Sequence, residues 1–131
     1  MAENGDLIQM SVQFTVDLAE YYKWLVNEKR EYIFSRQIMR SGSSIGANVH
    51  EAIYASSKAD FAAKLQIALK EASETLYWFI VLKSTGYLPD NLEKLRDQCE
   101  SLKRIMIASI KTAKNNIAKQ AKSKKKQSIL A

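Results

Sequence analysis

The chain of 131 residues has one proline, four glycines, one cysteine and one histidine. So few turn-forming residues rule out a β-sandwich, whose short strands need a turn signal roughly every 8–12 residues. One cysteine excludes an internal disulfide, and with one histidine it cannot complete a structural zinc site, so no metal is expected. The longest strongly apolar run, Leu76 to Leu82, has seven residues, against about 20 for a membrane-spanning helix. The amino end MAENGDLIQ carries acids and no basic residue before its first apolar positions, unlike a secretory leader. Hydrophobic residues, by contrast, make up 47% of the chain, too many for intrinsic disorder. The expectation is one mostly helical, cytoplasmic domain with no membrane contact.

The formal net charge of +6 is unevenly placed. Of twenty basic residues, six (Lys114, Lys119, Lys122, Lys124, Lys125 and Lys126) stand in the last eighteen positions, where there is no acid. That leaves fourteen basic against fourteen acidic residues in Met1–Ala113, a neutral body. Residues 1–113 are therefore read as the folded domain, and 114–131 as the end of the last helix and a flexible basic tail. Such a tail either neutralises phosphates of RNA or DNA, with salt-sensitive and sequence-blind affinity, or merely aids solubility. It holds no aromatic residue, which argues against stacking on exposed bases.

Apolar spacing predicts four helices. The first, from Leu7 to about Asn27, carries Leu7, Phe14, Leu18, Tyr21 and Leu25, with a second line of Ile8, Val12, Ala19, Tyr22 and Val26. Together these are wider than one helix–helix contact requires. The second, from about Tyr32 to Ala55, contains SGSSIGANVHEA (Ser41–Ala52). Each interior glycine costs about 1 kcal/mol relative to alanine, so this helix survives only if close packing against the small residues repays the loss. A break at Ser41-Gly42 is the rival reading. The third starts from Ser57 with Asp60 three residues later and stops at Gly86, before Pro89. The fourth is expected to start from Asp90 as N-cap with Glu93 in its first turn. Its seam runs Leu92, Leu95, Cys99, Leu102, Met106, Ser109, Ala113 and Ile117, fraying past Asn116. The fold class is thus all-α, an up-down-up-down four-helix bundle.

Chemistry-bearing groups are sparse. His50 and Glu51 point about 100° apart on a helix, so they cannot orient each other. Cys99 lies on the apolar seam, and GSSIG (Gly42–Gly46) lacks the Gly-Lys-Ser/Thr of a phosphate loop. No catalytic residue and no cofactor is expected. Asn48 and Glu51 sit in the small-residue helix, where polar side chains must find partners. Arg36 and Arg40, four apart, form either ion pairs with glutamates or a small anion-binding patch. Lys70 and Glu74 are placed to pair along the third helix. Trp24, Trp78, Tyr77 and Ile67 exceed what a single stripe buries and are candidates for a subunit interface.

The stretches SRQIMRSGSSIGANVHEA (Ser35–Ala52) and SKADFAAKLQIALKEASETLYW (Ser57–Trp78), with the Gly86-Tyr87-Leu88 ending, closely resemble the 23S rRNA intervening-sequence protein family. These are small bacterial four-helix bundles, related to the accessory proteins of diversity-generating retroelements. The resemblance spans about Leu7 to Ile110 and implies one continuous second helix. It also implies a ring-like homopentamer, which would gather about thirty positive charges in one particle. Some members are encoded within insertions of large-subunit ribosomal RNA genes. The related accessory proteins bind a reverse transcriptase and nucleic acid through basic surfaces. No enzymatic activity is established for the family. The matching motif positions are Gln37, Arg40, Ser44, Ile45, Asn48 and Glu51. Some relatives read Ile-Pro-Ser-Asn where this chain has Ile45-Gly46-Ala47-Asn48, as expected of a separate branch.

The function expected is a non-catalytic oligomer binding nucleic acid, RNA foremost, or an RNA–protein assembly. Its basic candidates are the tail lysines, with Arg36 and Arg40 behind them. The alternative is a scaffold that grips a protein partner without touching nucleic acid.

Overall fold

A computed structural model describes residues 2–130, and side chains from Asp6 onward. Four helices, α1 (Ala2–Asn27), α2 (Phe34–Ile53), α3 (Lys58–Ser84) and α4 (Glu93–Leu130), account for nearly all of it, with no strand among the described residues. Each helix packs on its neighbours in chain order and α4 closes back on α1, while α1 and α3, like α2 and α4, stand diagonally. With connections this short, neighbours must run antiparallel.

The core takes in the leading predicted stripe of α1 and most of the α4 seam, together with apolar rows of α2 and α3. Phe14, Leu18 and Leu25 of α1 meet Ile38, Ile45 and Val49 of α2, Leu65, Phe79 and Leu82 of α3, and Leu95, Leu102 and Met106 of α4. Full burial of each such side chain stabilises by about 1.5–3 kcal/mol. The small-residue helix is continuous, and its contacts show why. Ser41 is buried and its hydroxyl oxygen accepts a hydrogen bond from Thr75 Oγ1 of α3 at 2.9 Å. Gly42 and Gly46 turn toward α1: a Cβ at Gly42 would land on Leu18 Cδ2, whereas one at Gly46 would rest 3.5 Å from Ser11 and Thr15. The close approach that repays the glycines is thus between α1 and α2, and of the two only Gly42 leaves no room for a Cβ unless Leu18 moves.

The helix boundaries follow from local hydrogen bonding. α1 ends where Arg30 adopts a left-handed φ of 52° and Glu31 N–H returns to Leu25 O at 2.9 Å. Glu31 then buries its carboxylate under the first turn of α2. It accepts from the backbone N–H groups of Ile33, Phe34 and Ser35 at 3.0, 3.1 and 2.6 Å. A negative group there meets both the orphan donors and the positive end of the helix dipole. Ser57 Oγ accepts from Asp60 N–H at 3.0 Å, and Gly86 takes a φ of 85° after α3, as the sequence predicts. Asp90 departs from expectation: it opens a short 3₁₀ turn (Asp90–Leu92), and α4 begins only at Glu93. Glu93 Oε1 pairs with Lys83 Nζ of α3, 2.6 Å away.

Candidate nucleic-acid interface

The last buried residue of α4 is Ala113; Asn116 and Ile117 are half-covered, and every residue from Ala118 to Leu130 is exposed. Gln66 and Leu69 of α3 border the same hollow as Ile107, Ile110 and Asn115 of α4. Since the two helices are antiparallel, the start of α3 at Lys58 lies level with about residue 118 of α4. Beyond that level α4 projects alone for about 20 Å at 1.5 Å per residue. The fraying expected past Asn116 does not occur. Alanine, lysine and glutamine are good helix formers, elongation from a packed helix needs no new nucleus, and lysines near a helix C-terminus offset its dipole.

From Ser101 to Ala131 there are nine basic residues and no acid. At 100° per residue, Arg104, Lys111, Lys114, Lys119, Lys122, Lys125 and Lys126 fall within an arc of roughly 140° on α4, with Lys124 opposite. Among the described residues none of these side chains joins an ion pair; the pairs lie elsewhere, at Lys23–Glu20, Arg40–Glu71, Arg40–Glu74, Lys64–Glu51 and Lys83–Glu93. The predicted tail lysines therefore continue a face that starts within the bundle. Arg104 and Lys111 were missed by reading charge as a tail property. Their signal was the lack of any acid after Glu100.

Arg36 and Arg40 do not combine into an anion patch. The α2–α3 crossing sets Glu71 and Glu74 against the Arg40 guanidinium, while Arg36 stays exposed one turn away. Glu74 Oε2 also accepts from Trp78 Nε1 at 3.0 Å. That indole hydrogen bond first, and Arg40 second, hold the Glu74 carboxyl below its ordinary value. The predicted Lys70–Glu74 pair gives way to this arrangement. The other motif polar groups serve the helix itself or the α2–α3 seam. Ser44 Oγ donates to Arg40 O at 2.8 Å, Asn48 Nδ2 donates to Ser44 O at 2.8 Å, and Glu51 lies 3.6 Å from Lys64 Nζ. Gln37 is half-buried on the same stripe.

The interface candidates divide. Trp24 and Trp78 pack on their own core, stacked with Tyr21 and Phe34 respectively. Tyr77 and Ile67 face outward, 56% and 44% exposed. Val12 and Val16 on α1, Ile80 on α3 and Ile107 on α4 are also exposed. Val12 lies on the second apolar line of α1, and Ile107 widens the apolar seam of α4. Cys99 is buried and its thiol donates to Ala72 O at 3.6 Å; burial first, and Glu100 second, push its pKa up to about 12.

A model of the 23S rRNA-intervening sequence protein family matches residues 3–108. The chain belongs to this family. A crystal structure from Bacteroides thetaiotaomicron, described as a protein of unknown function from the S23 ribosomal protein family, shares 43% identity with it. The likeness covers 83% of this chain and 98% of that one, with a TM-score of 0.81. No curated protein matches. The 23S rRNA-intervening sequence match thus takes in the neutral bundle and stops before Lys111, so most of the basic face lies beyond it.

Proposed function

We propose that this member of the 23S rRNA-intervening sequence family is a non-catalytic, self-associating bundle that binds nucleic acid through the basic face of α4. RNA, or an RNA–protein assembly, is the foremost ligand. The observation that carries this reading is the acid-free row of unpaired cations from Arg104 to Lys126. It extends along one helix for about 33 Å. Lysines with no carboxylate to satisfy them are free to displace counterions from a phosphate backbone. Exposed Ile67, Tyr77, Val12 and Val16 support self-association, by which weak single contacts would add; the pentameric number rests on the family resemblance. The single thiol, buried with its pKa raised, is not poised to act as a nucleophile.

The test is binding of single-stranded RNA to the full chain and to a chain ending at Ala113, across salt concentrations. The full chain should show a steep loss of affinity with salt, and the shortened chain should bind about 10²-fold more weakly. Equal binding would remove the basic face from the account. Light scattering, with the 260/280 nm absorbance ratio of the purified protein, tests self-association and bound polynucleotide together.

The same exposed apolar residues favour a second reading, a scaffold for a protein partner. It predicts saturable protein binding that persists in high salt and little affinity for RNA.

A further inference from the structure

We infer that a notch between α3 and α4, set within the basic face, holds one unstacked base of a single-stranded nucleic acid, an inference that rests on the proposed function. The notch is an open groove of about 340 Å³. Leu69, Ile107 and Ile110 give it an aliphatic lining, with Ile110 buried and Ile107 exposed. Two amides, Gln66 of α3 and Asn115 of α4, also line it. Lys111 and Lys114, one helical turn apart, complete it.

Each group suits a different part of a nucleotide. The aliphatic lining offers an apolar surface to the face of a base. An amide presents a donor and an acceptor side by side, the pattern that reads a base edge in two-point fashion. The two ammonium groups are placed for the phosphates that flank the base. Asn48 and Gln98 have their amides engaged by Ser44 and Asp17. No protein group holds those of Gln66 and Asn115 among the described residues, so both can turn to a ligand.

The charge also distinguishes a polymer from a free nucleotide. A mononucleotide site needs cations only around its own phosphate, whereas here the lysines run on through Lys119, Lys122, Lys125 and Lys126. A base paired in a duplex hides its edge from such a notch, so single strands are preferred.

The experiment uses the full chain and three probes: a uridine oligonucleotide, its duplex with an adenosine oligonucleotide, and inorganic polyphosphate as an anion without bases. The single strand should bind more tightly than either of the others. The Gln66→Ala/Asn115→Ala double variant should lose about tenfold in single-strand affinity, with the salt slope and polyphosphate binding unchanged. Lys111→Gln and Lys114→Gln should each make the single-strand salt slope shallower by about 0.7. Undiminished single-strand binding by the double variant, or equal affinity for all three probes, overturns the notch while the basic face stands. Failure to bind any probe overturns the proposed function and the notch with it.

Discussion

Up to Ala113, α4 presents a residue to the core every three or four positions; from Ala118 to Leu130 it presents none. The two halves are one continuous helix held by different forces. The first is stabilised by burial against α3 and α1, and its own propensity hardly matters. The second has only backbone hydrogen bonds, helix-forming side chains and the dipole, and it leaves every side chain free. The projecting half leaves its side chains to solvent, whereas the neutral body is organised around its own interior.

That contrast yields measurements of decreasing size. Removing a core side chain should be severe: Phe79→Ala, at a fully buried position, should cost about 3–5 kcal/mol in chemical denaturation. Lys125→Ala should stay within about 0.5 kcal/mol. Comparable losses at both sites would mean that the projecting half is packed after all. Next comes Glu31→Ala, which strips three backbone N–H groups of a buried charged acceptor. A loss of about 2–3 kcal/mol is expected in the same assay.

The two glycines of α2 should then respond with opposite signs. Gly42→Ala forces Leu18 out of place and should destabilise by about 1–2 kcal/mol. Gly46→Ala meets only ordinary contacts and should stabilise by about 0.5–1 kcal/mol through helix propensity. Thermal melts of both variants decide whether the α1–α2 approach is as tight as described.

The smallest effect is electrostatic. Because the Glu74 carboxyl is held below its ordinary value of 4.5, the folded chain releases this proton more readily than the unfolded chain. Its contribution is therefore complete above the ordinary value and lost as pH falls through the lowered one. Partial exposure and solvent screening keep it small. Glu74→Gln should flatten the acid limb of a stability–pH curve and leave the neutral region little changed; an unaltered acid limb would mean the pair is not formed in solution.

Much of the bundle was legible because periodicity reports directly on burial. The leading stripe of α1, the seam of α4, the Ser57 cap and the Gly86 stop all follow from spacing and local chemistry. Glu31 was hidden because it caps from three positions before the first residue of α2 and looks like part of a polar connection. Arg40 looked available beside Arg36, since nothing in one helix reveals that Glu71 and Glu74 of another will face it. Trp24 and Trp78 looked like surplus for the reason that wide, amphipathic rings can lie flat on a core from its margin. The basic face was visible in part: lysine count located the tail, but not the positions inside the bundle that share its side.

The order of apolar and polar residues by itself determined four helices, most of their approximate ends and the separation of a neutral body from a cationic end. All three are properties of neighbours along the chain, through hydrogen bonding, side-chain periodicity and local charge. Only the tertiary structure decided which charges are neutralised and which glycine is crowded. Those outcomes depend on distances between helices that are far apart in sequence, and such distances are set by packing.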